Sequence, residues 1–300
     1  MEEAFHVPVL CDVVVELLVI DRDGIYVDCT LGGGGHAEAI LSRLSERGRF
    51  IGIDRDSAAV GAVKERFSIL HTACRNYELI QSSFSDIEDI LLSRGVKAVN
   101  GIFFDLGVSS YQLDKSGRGF SYRWEEPLDM RMDSRSVLTA RELLNKADEE
   151  EIFRILLRFG EERYAHRIAR QIVKVRAHAP LETTGDLRAI VERSVGRKYL
   201  RKSLARVFQA IRIAVNDELS QLEQGIQAAI RLLAPSGRIV VISYHSLEDR
   251  IVKRLFRTGG GQQASLTMIT KKPITPSEEE IHLNPRARSA KLRCAVRLST

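Results

Sequence analysis

Three hundred residues, 44% hydrophobic and 28% charged, describe a globular chain with ample core and exclude disorder for its bulk. Lys and Arg number 45 against 40 Asp and Glu, and the net charge of +5 hints at a polyanionic partner without naming one. Glu2, Glu3, Asp12 and Glu16 interrupt the first apolar run, so neither a signal peptide nor a membrane span is expected there, and the chain reads as cytoplasmic.

The first predicted strand covers about 25 to 29 and enters the cluster Gly32-Gly33-Gly34-Gly35-His36, after which Ala37, Ala39, Ile40, Leu41 and Leu44 take helical spacing over about 36 to 47. Glycines at this point let backbone approach a ligand at a helix N-terminus, where free N–H groups favour a carboxylate or phosphate. A second buried strand, about 50 to 54, ends in Asp54, placed to accept hydrogen bonds from both hydroxyls of a ribose. Helices at about 57 to 68 and 85 to 94 alternate with strands at about 77 to 81 and 99 to 105, which predicts a parallel sheet. After Asp105 the alternation stops. Residues 106–133 hold Gly107, Gly117, Gly119 and Pro127 with no clean period, the character of a lid or binding loop, and they leave the end of a central strand where open α/β sheets bind ligands. Residues 138–209 read mainly as helix. A Pro/Gly turn then precedes a buried strand at about 238 to 244, and alternation at 266–271 and 290–298 suits a terminal strand pair. The expected domains are a nucleoside-binding one at 1–135 and 210–300 and an inserted helical one at 136–209.

Gly32-x-Gly34-x-x-Ala37 fits the dinucleotide fingerprint, which keeps a nicotinamide oxidoreductase open; no Gly-Lys-Ser/Thr follows, which excludes a P-loop. Asp28, four residues before the first glycine, gives instead the Asp-x-x-x-Gly-x-Gly order usual in S-adenosylmethionine methyltransferases. At the fourth strand, Asp105-Leu-Gly-Val-Ser-Ser-Tyr-Gln112 offers a carboxylate, small residues and an amide. Amino-methylating enzymes follow such an acid with two prolines and an aromatic, which this chain lacks, so the acceptor stays open on that motif. Cys11, Cys29, Cys74 and Cys294 have no metal-like spacing and are expected as free thiols, with no zinc and no disulfide. Arg163, Arg167, Arg170 and Lys174 recur on one helix face, and between 193 and 206 stand six basic residues, no acids and Tyr199, the composition of a phosphate-contacting surface.

Taken in order, His6-Val-Pro-Val-Leu10, Asp105-Leu-Gly-Val-Ser-Ser110, Arg118-Gly-Phe-Ser121, Pro127-Leu-Asp-Met-Arg-Met-Asp133, Gly160-Glu-Glu-Arg163, Phe208-Gln-Ala-Ile-Arg212, His245-Ser-Leu-Glu-Asp-Arg250 and Asn284-Pro-Arg-Ala-Arg-Ser289 resemble the bacterial ribosomal small-subunit RNA cytosine-N4 methyltransferases nearly end to end, with Val207 and Tyr244 as mild variations. The resemblance implies an α/β class I methyltransferase fold with a mostly parallel Rossmann-like sheet, a C-terminal antiparallel pair and a helical insert that recognises RNA. It implies S-adenosyl-L-methionine as cofactor, held by Gly34, Gly35, His36, Asp54, Phe84, Asp105 and Gln112, and small-subunit ribosomal RNA or the assembled subunit as partner, with methyl transfer to a cytidine N4 in the decoding region. The expected catalytic residues are Asp105 first, with Asp129 and Asp133 as rival proton acceptors and His245 as a relay or base holder. Asp129 and Asp133 flank Arg131, so structural ion pairs compete with that reading, and the His245 segment could equally cap a helix. A different amine acceptor and a non-catalytic ribosome-binding factor are the further alternatives, and the oligomeric state is open between monomer and dimer.

Overall fold

The computed structural model describes residues 8–70, 72–108, 112, 117–261 and 266–298, so His6, Val7, Ser109, Ser110 and Tyr111 of the quoted motifs lie outside the described residues. The chain divides into two compact units, Met1–Gly107 with Leu219–Thr300, and Val108–Glu218.

In the first unit, strands β1 (Ile25–Asp28), β2 (Arg49–Asp54), β3 (Tyr77–Gln81), β4 (Val99–Asp105), β5 (Leu233–Ser243), β6 (Leu266–Met268) and β7 (Lys291–Arg297) form one sheet in the order β3-β2-β1-β4-β5-β7-β6. The pairs from β3 through β5 are parallel, while β7 runs antiparallel to both β5 and β6. Buried apolar strands of this kind must be covered on both faces, and the period of two divides the cover. Phe104 and Ile102 of β4 point into one core with Ile87 and Leu91 of α4 (Ile87–Leu92), whereas Phe103 points into the other. Helices α1 (Cys11–Leu18), α2 (Gly35–Leu41) and α3 (Ser57–Ser68) cover the Phe103 face through Leu18, Ile40 and Val63.

Boundaries differ from the sequence expectation in two informative places. Helix α2 stops at Leu41 because the Ser42 hydroxyl bonds back to the Glu38 carbonyl and the next amides, Arg43 and Leu44, close short i to i+3 turns. Strand β5 begins five residues early: Leu233 pairs with Val99 before a register shift, and Arg238 resumes opposite Gly101.

The second unit carries α5 (Ala140–Lys146), α6 (Glu149–Gly160), α7 (Ala165–Arg176), α8 (Thr184–Ser194) and α9 (Leu200–Asn216) around their own core, which includes Leu156, Ile168, Ile172, Leu187 and Val207. Thr139 and Thr183 start α5 and α8 with reciprocal capping boxes to Glu142 and Asp186. Phe120, Leu128, Met130 and Met132, which the sequence grouped with the other domain, are buried in this core. Asn216 fixes them, accepting from the Met132 amide and donating to the Met130 carbonyl, each at 2.7 Å. No helix among the described residues is long and apolar enough to cross a membrane.

Candidate active site

Three parallel strands of the first unit end in carboxylates: β1 in Asp28, β2 in Asp54 and β4 in Asp105. The chain links two of them through one side chain. The Asp105 amide donates to the Thr30 hydroxyl oxygen, and the Thr30 amide donates to Asp28 Oδ1 at 3.0 Å, which fixes the exit of β1 against the exit of β4.

The glycine turn is built on Asp54. Its Oδ2 accepts from the Gly32 amide and its Oδ1 from the Asp56 amide, both at 2.8 Å. Burial pushes the Asp54 carboxyl above its usual range, and these two amides only partly oppose that. Each oxygen keeps a lone pair for a further donor, so the carboxylate can serve the turn and a pair of ribose hydroxyls together. Gly34 sits at φ +78° with Val63 Cγ2 only 2.8 Å from where a Cβ would stand, so both conformation and space demand glycine. Gly34→Ala is expected to cost about 1–3 kcal/mol, read as a lower denaturant midpoint; an unchanged midpoint would contradict this packing. Gly35 is held against the Pro8 ring, 3.1 Å from its Cγ by the same measure.

Asp28 is almost completely buried, and its Oδ2 has no hydrogen-bond partner among the described residues. Desolvation, with the charges of Asp105 and Asp54 nearby, raises its carboxyl to about 8. An orphaned buried acceptor of this kind calls for a donor from a ligand. The donor set fits S-adenosylmethionine: Asp28 for its ammonium group, Asp54 for its ribose and the glycine turn for close backbone approach.

Asp105 is partly accessible, its side chain 24% exposed, whereas Asp28 is almost completely buried. Oδ1 accepts a 2.9 Å hydrogen bond from the Tyr244 hydroxyl, and Oδ2 lies 3.6 Å from His36 Nδ1. His36 is itself fixed: Nε2 donates to the Val9 carbonyl at 2.9 Å, and its ring packs on Phe103 with centroids 4.7 Å apart. Burial and the Asp105 charge hold the Tyr244 phenol well above its ordinary value, so it stays a donor. Tyr244, passed over in the sequence as a variation beside a motif, is thus a direct partner of the central acid.

The other expected site residues are placed as follows. Phe84 is half-buried, edge-on to Phe104 at 5.6 Å and covered by Gly225, where a Cβ would come within 2.7 Å of its Cδ2. Gln112 is buried within the second unit. Asp129, also in the second unit, is held bidentately by Arg131 at 2.7 and 2.8 Å. Burial alone would raise the Asp129 carboxyl, but the Arg131 hydrogen bonds outweigh it and hold it below its usual range. Asp133 is gripped in the same way by Arg135. His245 is the N-cap of α10 (Ser246–Thr258): Nδ1 accepts from the Glu248 amide at 3.4 Å while Glu248 Oε2 accepts from the His245 amide at 3.2 Å. Its Nε2 stands 3.1 Å from Glu248 Oε1 without the alignment of a hydrogen bond. The structure therefore gathers Asp28, Asp54, Asp105, His36 and Tyr244 in one unit, and gives Asp129, Asp133 and His245 structural partners.

Known proteins resemble this chain over nearly its whole length. The family model described as the MraW methylase family matches residues 3–298. A ribosomal RNA small subunit methyltransferase H from Heliobacterium modesticaldum is 47% identical over 311 residues, covering 98% of each chain. The protein of the same name from Brevibacillus brevis is 46% identical over 310 residues, again covering 98% of each. Among solved structures, an rRNA methylase from Streptococcus thermophilus superposes with a TM-score of 0.45 at 13% identity, covering 96% of this chain and 94% of that one.

Proposed function

The chain belongs to the MraW methylase family, and from that premise we propose that it methylates the exocyclic N4 amine of a cytidine in the decoding region of small-subunit ribosomal RNA. It is an S-adenosylmethionine-dependent small-subunit rRNA methyltransferase; membership in a methylase family leaves the glycine loop no nicotinamide role. The observation that carries the finer reading is Asp105, a partly exposed carboxylate at the end of the central strand, braced on Oδ1 by Tyr244 and with His36 Nδ1 3.6 Å from Oδ2.

When bound, S-adenosylmethionine supplies an electrophilic methyl group on a sulfonium. Everything else falls to the chain. The acceptor amine is a poor nucleophile because its lone pair is delocalised into the pyrimidine ring. Asp105 accepts one of its N–H bonds, which favours a pyramidal nitrogen, and then takes the proton the amine must lose. Tyr244 holds Asp105 in the orientation that does this. His36 Nδ1, 3.6 Å away, is positioned to take the proton onward, its ring kept from turning by Val9 and Phe103. Asp54 and Asp28 bind the ribose and ammonium groups, Gly34 and Gly35 keep the turn open to the ligand, and Phe84 completes the proposed contacts of this unit. Placing amine and methyl in line supplies roughly 7–11 kcal/mol of the barrier by avoided entropy loss.

Transfer of labelled methyl from S-adenosylmethionine to small-subunit RNA tests the activity, and Tyr244→Phe tests the brace. The variant keeps the ring and loses one charge-assisted hydrogen bond, so kcat is expected to drop about tenfold with cofactor affinity unchanged. Equal loss of cofactor affinity would instead make Tyr244 a binding residue.

A further inference from the structure

We propose that a small basic cleft on the helical unit, between the starts of α7 and α9, seats a phosphate of single-stranded RNA while an adjoining base stacks on Tyr199. The cleft is lined by Arg163, Tyr164, Tyr199, Lys202, Ser203 and Arg206 and has a volume of about 100 Å³. That is room for a phosphate group. Tyr199 is the N-cap of α9 and makes no side-chain cap, whereas the start of α7 is met by Glu162, whose Oε1 accepts from the Tyr164 amide at 2.9 Å. The positive end of α9 adds to three cationic side chains, the combination that favours an anion.

The tyrosines narrow the anion to a nucleic acid. Tyr164 and Tyr199 stand with ring centroids 6.2 Å apart and tilted by 45°, Tyr199 is 42% exposed, and Lys198 Nζ lies 5.8 Å over its ring. An exposed ring at the rim of a phosphate-sized cleft is a stacking platform for a base, which a free phosphate or an acidic peptide would leave unused. Next to Arg163 and Tyr164 in sequence, Glu162 is buried to 1% exposure, and its Oε2, 3.9 Å from Arg206 Nη1, has no hydrogen-bond partner among the described residues. This carboxylate attracts Arg206 without saturating its donors. The neighbouring basic stripe is less available: Arg170 pairs with Glu149 at 3.7 Å, and Arg167 donates to the Arg193 carbonyl.

The inference rests on the reading that ribosomal RNA is the substrate. The test uses the full chain with a labelled, unstructured oligoribonucleotide copied from small-subunit RNA. Tyr199→Ala is expected to weaken binding about tenfold or more, while Tyr199→Phe binds as the parent does. With three cations on phosphate, log affinity of the parent should fall with log salt at a slope of about −2, and Lys202→Glu should flatten it. S-adenosylmethionine affinity should be the same throughout, which shows the variants to be folded. Unchanged RNA affinity in Tyr199→Ala and Lys202→Glu, with the parent still methylating RNA, overturns the cleft alone. Variants that lose only binding to assembled subunits assign the cleft to a protein partner and overturn it too. A parent that methylates no RNA overturns the substrate reading together with the cleft.

Discussion

Asp105→Asn is expected to lower kcat by about 10²- to 10⁴-fold, the usual contribution of a positioned proton acceptor. The substitution preserves size and shape. Its amide oxygen can still accept from Tyr244 and its backbone amide still donates to Thr30, so the exit of β4 should hold its place. What disappears is the capacity to accept an N–H bond as an anion and take up a proton. Cofactor affinity is therefore expected to stay within a few-fold of the parent, because in this structure Asp54 and Asp28 are the acids left for the ribose and ammonium groups. Single-turnover methylation and calorimetric titration of S-adenosylmethionine separate the two effects. Turnover equal to the parent's would remove Asp105 from the chemistry and return attention to Asp129 and His245, despite their ion-pairing and capping partners.

Asp28→Asn is expected to act in opposite directions on stability and on binding. Burial raises the Asp28 carboxyl to about 8 in the folded chain, against an ordinary value near 4. The folded state thus holds a proton that the unfolded state has lost between those limits. Stability from this group is complete below about pH 4, is lost as pH rises through about 8, and is constant above. An asparagine titrates nowhere, so the variant should gain on the parent between pH 5 and pH 8.5, by an amount visible as several degrees in thermal midpoint. Binding runs the other way. An ammonium group requires the carboxylate form, so affinity for S-adenosylmethionine in the parent should rise with pH between 6 and 7.5, by at most about tenfold per unit, while the α-amino group stays charged. In Asp28→Asn the affinity should fall by about two orders of magnitude and lose this slope. A stability difference independent of pH, or an unchanged slope in the variant, would place the donor for Asp28 Oδ2 elsewhere.

Much of the first unit was legible because its signals are local. Alternating apolar runs and helical periods located β1 to β4, and an acid at the end of β2 behind a glycine turn pointed to Asp54 without any tertiary information. Asp28 was visible as a spacing, but its isolation was not, since an orphaned oxygen depends on everything packed around it. Tyr244 was invisible for a different reason: it meets Asp105 across 139 residues of chain, and only the pairing of β4 with β5 brings them together. The segment 106–133, continuously described from 117 onward, read as a loop because it has no period. Its order comes from charge pairs such as Arg131 with Asp129, and from Asn216 at the far end of α9. His245 left two readings open in the sequence, proton relay or helix cap, and the structure shows the cap, in a reciprocal capping box with Glu248 three residues on.

The central claim concerns the atom that receives the methyl group. Small-subunit RNA from cells lacking this protein, incubated with the purified chain and S-adenosylmethionine and digested to nucleosides, resolves it by mass spectrometry. A new N4-methylated cytidine is the expected product, formed by the parent and almost absent with Asp105→Asn. A methyl group on any other atom, or no methylated nucleoside from either free RNA or assembled subunits, would contradict it.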